Sequence, residues 1–147
     1  YSMLSLTEKE ADFIAAQLLK GNVCFYQIDK KKIHHMPDDE DYFNYDLTEE
    51  EEDILDAIEE NPDNYAEFTK MEPAQEHQMM QDFIDRKVKE KNLAEDLVDA
   101  LSKPKAATGF KFLIESSKYK DEWVEYRNDK YLDWVKEQID AFNYAED

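Results

Sequence analysis

The residues with the most evident capacity for chemistry are the adjacent pair His34-His35, followed by carboxylates at Asp38 and Asp39. Imidazole nitrogen and carboxylate oxygen together can hold a transition metal. The spacing opposes it, because neighbouring strand residues point to opposite faces and one ion could use both rings only where the strand has already ended. No His-x-x-x-His, Cys-x-x-Cys or His-Glu-x-x-His spacing accompanies the pair. Two ordinary hairpin histidines and no metal site are expected, and His77 beside Glu76 is read the same way. The run Asp38-Asp39-Glu40-Asp41 offers the oxygen ligands that calcium and magnesium prefer. It lacks the spaced ligands, central glycine and closing glutamate of a calcium loop, so only weak, adventitious binding is expected.

A second constellation is a stripe of carboxylates at Glu49, Glu52, Asp53, Asp56, Glu59 and Glu60. Intervals of three and four place them on one side of a helix, opposite Ile54, Leu55 and Ile58. Like charges so spaced repel, although those in the first turn gain from the helix dipole. The stripe reads either as a solvated face or as a docking surface for a basic protein. A third group joins Trp123, Tyr126, Tyr131 and Trp134 with Lys111, Arg127 and Lys130. It suggests base stacking, but aromatics at helical spacing more often fill a core. Cys24, the lone cysteine, lies in an apolar run and is expected to be a buried, unreactive thiol. With 37 acidic residues, paired carboxylates arise from abundance and do not indicate acid-base catalysis. No nucleophile elbow, P-loop or dinucleotide fingerprint occurs, and no cofactor is implied.

The elements that would carry these residues can be read from caps and periodicity. Thr7-Glu8-Lys9-Glu10 is a capping box that opens a helix ending at Gly21, with Ala11, Ile14, Ala15 and Leu18 on its buried face. Val23–Ile28 and Ile33–Met36 flank Asp29-Lys30-Lys31-Lys32 as a β-hairpin. Residues 38–46 form an acidic connection with three aromatics. A second capping box, Thr48-Glu49-Glu50-Glu51, starts the helix that bears the stripe, and Asn61-Pro62 stops it. Residues 65–71 are a short strand candidate that could extend the hairpin to three strands, since a two-stranded sheet alone is marginal. Helices then start at Pro73 or Ala74, at an Asn92 cap, around Phe110–Ile114 and at Asp121. The fold class is α+β: an N-terminal helix and a small antiparallel sheet, with a mostly helical C-terminal half. The chain is expected to be one domain over 1–147, with parts 1–37, 38–73 and 74–147.

Charge sharpens the picture. The net charge is −19, and residues 38–73 hold 16 acids against one base, a local balance of −15. Such a chain repels nucleic acid and anionic membrane, and no direct binding to either is expected. No run approaches the length of a membrane helix and the N-terminus lacks a signal-peptide pattern, which points to the cytoplasm.

The C-terminal half carries an ordered series: Met80-Gln81-Asp82-Phe83-Ile84, Leu97-Val98-Asp99-Ala100-Leu101, Phe110-Lys111, Glu122-Trp123-Val124-Glu125-Tyr126 and Trp134-Val135. In this order it resembles the bacterial Uncharacterised Protein Family 0158, over residues 48–140. The resemblance implies an acidic start, a small strand region and following helices, and carries no established activity. Where that family's pattern has an aromatic and two arginines before the phenylalanine-lysine step, this chain has Ala107-Thr108-Gly109. A basic ligand pocket is therefore not implied.

The sequence favours a non-enzymatic protein-interaction or regulatory module that uses the acidic helix face to meet a basic protein. The alternative is a small-ligand-binding protein or enzyme with a site between the sheet and the last helix, drawing on His35, Arg127 or Tyr131. A third reading has the acidic face only solvating the chain, with homo-oligomers formed through exposed aromatics.

Overall fold

The computed structural model describes residues 4–38 and 47–146. The acidic connection expected at 38–46 therefore falls, beyond Asp38, outside the described residues. The order is α1 (Glu8–Leu19), β1 (Asn22–Gln27), β2 (Lys32–Pro37), α2 (Glu49–Glu60), a single 3₁₀ turn (Pro62–Asn64) and β3 (Tyr65–Phe68). Four helices follow: α3 (Pro73–Lys87), α4 (Lys91–Leu101), α5 (Ala106–Glu115) and α6 (Lys120–Glu146). The fold is α+β, as the sequence implies. It divides into two compact units, one from the described residues of Tyr1–Lys70 and Tyr131–Asp147, the other Met71–Lys130.

In the first unit, β1 is the central strand of an antiparallel sheet ordered β2-β1-β3. Its residues Val23 to Tyr26 are all buried, which only the middle strand of a covered sheet allows. The pairings Val23↔Met36 and Phe25↔His34 with β2, and Phe25↔Glu67 and Gln27↔Tyr65 with β3, define one face. Cys24, Tyr26, His35, Ala66 and Phe68 define the other. Helix α1 keeps the capping box read from the sequence, with Glu10 N–H donating to Thr7 Oγ1 at 3.1 Å and Thr7 N–H donating to Glu10 Oε1 at 2.9 Å. It ends where Gly21 takes φ +93°, a conformation that costs glycine little.

β3 stops at Phe68 although the sequence suits a strand to Met71, because side chains of α6 take over the next backbone groups. Thr69 N–H donates to Gln138 Oε1 at 3.0 Å, and the Thr69 carbonyl accepts from Trp134 Nε1 at 2.7 Å. At the far end of α6, Asn143 clamps the backbone of Leu4, accepting from its N–H at 2.6 Å and donating to its carbonyl at 2.9 Å.

The second unit has its core where α3, α4, α5 and the start of α6 meet. Phe83 is fully buried and meets Trp123 and Tyr126 edge-on, with ring centroids 5.2 Å away in each case. Phe110 meets Trp123 at 4.8 Å. Edge-to-face geometry sets the positive ring edge against the negative face, which adds to the gain from burial. Helix α4 begins at Lys91 rather than behind an Asn92 cap, and Glu90 is the residue that precedes it. The Glu90 carboxylate is instead engaged by the Tyr119 hydroxyl and the Lys118 ammonium, while Lys89 N–H donates to the Tyr119 oxygen at 3.1 Å. Among the described residues no helix is long and apolar enough to cross a membrane.

Candidate acidic docking face

Helix α2 is built to display charge. Its N-terminus is closed by the second capping box: Glu51 N–H donates to Thr48 Oγ1 at 3.1 Å and Thr48 N–H donates to Glu51 Oε1 at 2.9 Å. Glu51 is thereby engaged locally, satisfying one of the otherwise open first-turn amides. At the other end, the 3₁₀ turn ties the helix to the hairpin. Ile28 N–H donates to the Asn64 carbonyl at 2.8 Å, and Asp29 and Asn64 exchange two further hydrogen bonds of 3.0 Å. The Asn64 amide holds the Asp29 carboxyl below its ordinary value, with smaller help from Gln27 and Lys30 and against a partial loss of solvation.

Between these clamps, Ile54, Leu55 and Ile58 lie on Val23, Phe25 and Met36 of the sheet, beside Tyr65. None of the three is fully buried. The opposite side carries Glu49, Glu52, Asp53, Asp56, Glu59 and Glu60, and all six are exposed. Ion pairs among the described residues join Lys103 to Asp99, Lys111 to Glu115, Lys118 to Glu90 and Lys136 to Glu8. None takes an α2 carboxylate. The stripe thus stands together on about 18 Å of helix, at 1.5 Å per residue, without an internal counter-charge from the described residues.

The histidine pair separates as strand alternation requires. His34 lies on the α2 side of the sheet, its Nε2 3.0 Å from Gln27 Oε1 and its ring 6.4 Å from that of Tyr65. Burial pushes its imidazole below the ordinary value, aided by Lys32 and His35 and opposed by Glu50. His35 lies on the opposite side, edge-on to Phe13 of α1 at 5.8 Å. His77 sits 3.2 Å from the Leu101 carbonyl through Nε2. No group of three metal-ligating side chains occurs among the described residues. Glu50 was not part of the stripe read from the sequence, and its link to His34 depends on a hairpin register that periodicity alone does not supply.

The remaining candidates are core or structural. Trp123 and Tyr131 are buried, and Trp134 spends its indole N–H on Thr69. Tyr126 lies in the Phe83 cluster with the Lys130 ammonium 5.4 Å from its ring centre. Of the residues named for a ligand site, His35 and Tyr131 belong to the first unit and Arg127 to the second. Cys24 is fully buried, and loss of solvation pushes its thiol up to about 12, which suppresses the reactive thiolate.

The family model described as Uncharacterised protein family (UPF0158) matches residues 3–147. No curated protein and no solved structure matches this chain.

Proposed function

The chain belongs to that uncharacterised family, and we propose that it is a non-enzymatic protein-interaction or regulatory module whose α2 face docks a basic partner. The observation that carries this reading is the state of the stripe: six exposed carboxylates, on a helix clamped at both ends, with no cation paired to them among the described residues. A face meant only for solubility gains nothing from alignment. Interspersing cations would remove the repulsion at no cost in hydration.

Aligned carboxylates suit a partner presenting lysine or arginine at matching intervals. Each exposed pair contributes only about 0.2–1 kcal/mol. The larger effect of a one-sign surface is to steer encounter and to select against acidic competitors, both of which weaken with salt. Specificity would then come from the half-buried apolar edge of α2 and from the partner's own shape.

The test is affinity capture from the native host lysate, comparing the chain with a variant carrying Glu52→Gln, Asp53→Asn, Asp56→Asn and Glu59→Gln. Basic proteins held by the chain and absent from the variant support the reading. Identical captured sets refute it.

A further inference from the structure

Independently of α2, the second unit carries an open groove of about 660 Å³ between the end of α3 and one side of α4. Its apolar lining comes from Ile84 and Val88 on one wall and Ala94 and Val98 on the other, each pair four residues apart. Along α4 the groove follows a single helical stripe from Lys91 to Ser102, about 18 Å long at 1.5 Å per residue. This stripe is separate from Leu97 and Leu101, which fill the core. Helix α4 therefore has two apolar rows. Only one is covered, and Val98 remains 45% exposed.

The rim is charged with one dominant sign. Of the residues that line the groove, Asp85, Glu95 and Asp99 are acidic and Lys91 is basic. Asp99 already meets Lys103 at 2.8 Å and Asp85 accepts from Gln81 at 3.1 Å, whereas Glu95 has no partner among the described residues. An apolar trough edged by carboxylates complements an amphipathic helix with a basic flank. Such helices dock through apolar anchors at i, i+3, i+4 and i+7, and each wall of the groove offers them one apolar pair four residues apart. A second copy would bring a rim of the same net sign, three acids and one base, and not the basic flank that this rim complements.

We propose that the α3–α4 groove is a docking site for a basic amphipathic helix of a partner protein, with apolar side chains along the trough and lysine or arginine meeting Glu95 and Asp85. The proposal does not depend on the α2 reading, and either can fail alone.

The test uses a displayed library of helical peptides of about 16 residues, long enough to span the stripe, selected on the full chain. The best binder is then synthesised with a fluorescent label and titrated by anisotropy. Enriched sequences are expected to place large apolar residues at three- and four-residue spacing with lysine or arginine beside them. Val98→Arg should weaken the labelled peptide by about ten-fold or more, as loss of a central apolar contact does. Glu95→Lys should weaken it by roughly three-fold at low salt, the scale of one exposed charge pair. Both positions are exposed, and circular dichroism verifies that each variant keeps its helices. The variant neutralised at Glu52, Asp53, Asp56 and Glu59 should bind this peptide unchanged. Failure to enrich such sequences overturns the proposal, as does binding indifferent to both groove substitutions. Self-association of the chain abolished by Val98→Arg would assign the groove to a second copy and also overturn it.

Discussion

Neutralising the C-terminal half of α2, through Asp56→Asn, Glu59→Gln and Glu60→Gln, is expected to stabilise the first unit. Asp56 has carboxylate neighbours at Glu52, Asp53, Glu59 and Glu60, all three or four residues away. Each such like-charge pair costs about 0.2–0.5 kcal/mol in a helix, so the four amount to about 1–2 kcal/mol. Glu59 and Glu60 also lie at the negative end of the helix dipole, where removing an anion gains roughly 0.3–1 kcal/mol each at low ionic strength. Discounting the whole for solvent exposure leaves about 1–2 kcal/mol. The helix has no fully buried residue to hold it against this repulsion, so the cost reaches the unit it covers. Hydrogen exchange of the β1 amides, in the middle of the sheet, reads that unit's stability. At about 0.01 M salt, where the screening length is roughly 30 Å, exchange in the triple variant should be slower by a factor of about 5–30. At about 1 M salt, with screening down to roughly 3 Å, the two proteins should converge. A variant no more stable than the parent at low salt, or a difference indifferent to salt, refutes an uncompensated stripe.

Phe83→Ala should cost the second unit about 3–5 kcal/mol and erase the near-ultraviolet dichroism of Trp123, since the ring is fully buried against three aromatic neighbours; a loss below about 1 kcal/mol would contradict this core. Lys118 first, and then the Tyr119 hydroxyl, lower the Glu90 carboxyl from 4.5 to about 2. Because the folded value is depressed, its contribution is complete above 4.5 and is lost as pH falls toward 2. The Tyr119 ring resonances should report protonation of Glu90 near the lower value and cease to do so in Glu90→Gln, whereas a midpoint at the ordinary glutamate value would show that the clamp does not hold in solution. Cys24 should resist iodoacetamide in the native chain at about pH 8 and react promptly in urea; rapid native labelling would place the thiol nearer solvent than the sheet allows.

Most of the scaffold was legible in the sequence because short-range chemistry decides it. Thr7 and Thr48 each announce a capping box that the structure contains, and Pro73 starts α3 as a missing N–H permits. The β-branched and aromatic content of Val23 to Ile28 also carried the hairpin, and with it the separation of His34 from His35. What escaped was set by distant residues. Gln138 and Trp134 end β3 by taking the Thr69 backbone, and nothing within residues 65–71 signals a partner some 65 positions away. Similarly, the Glu90–Tyr119 contact spans 29 positions, so the local appeal of Asn92 as a cap was misleading. The acidic stripe was fully readable, since helical spacing alone aligns it. The α3–α4 groove was not. Val98 fits a core row as well as an exposed one by type, and only the observed rotation of α4 turns it outward.

Site-specific crosslinking in the native host lysate tests the docking face most directly. A photo-crosslinking residue replaces Asp53, which is exposed at the middle of α2, and a control chain carries it at Lys9 of α1. The expected result is a discrete adduct with a basic protein from position 53 only, lost at high salt and lost when Glu49, Glu52, Asp56 and Glu59 are neutralised around it. No adduct, or the same adduct from both positions and from the neutralised chain, would contradict the proposal that the α2 stripe is where this protein meets its partner.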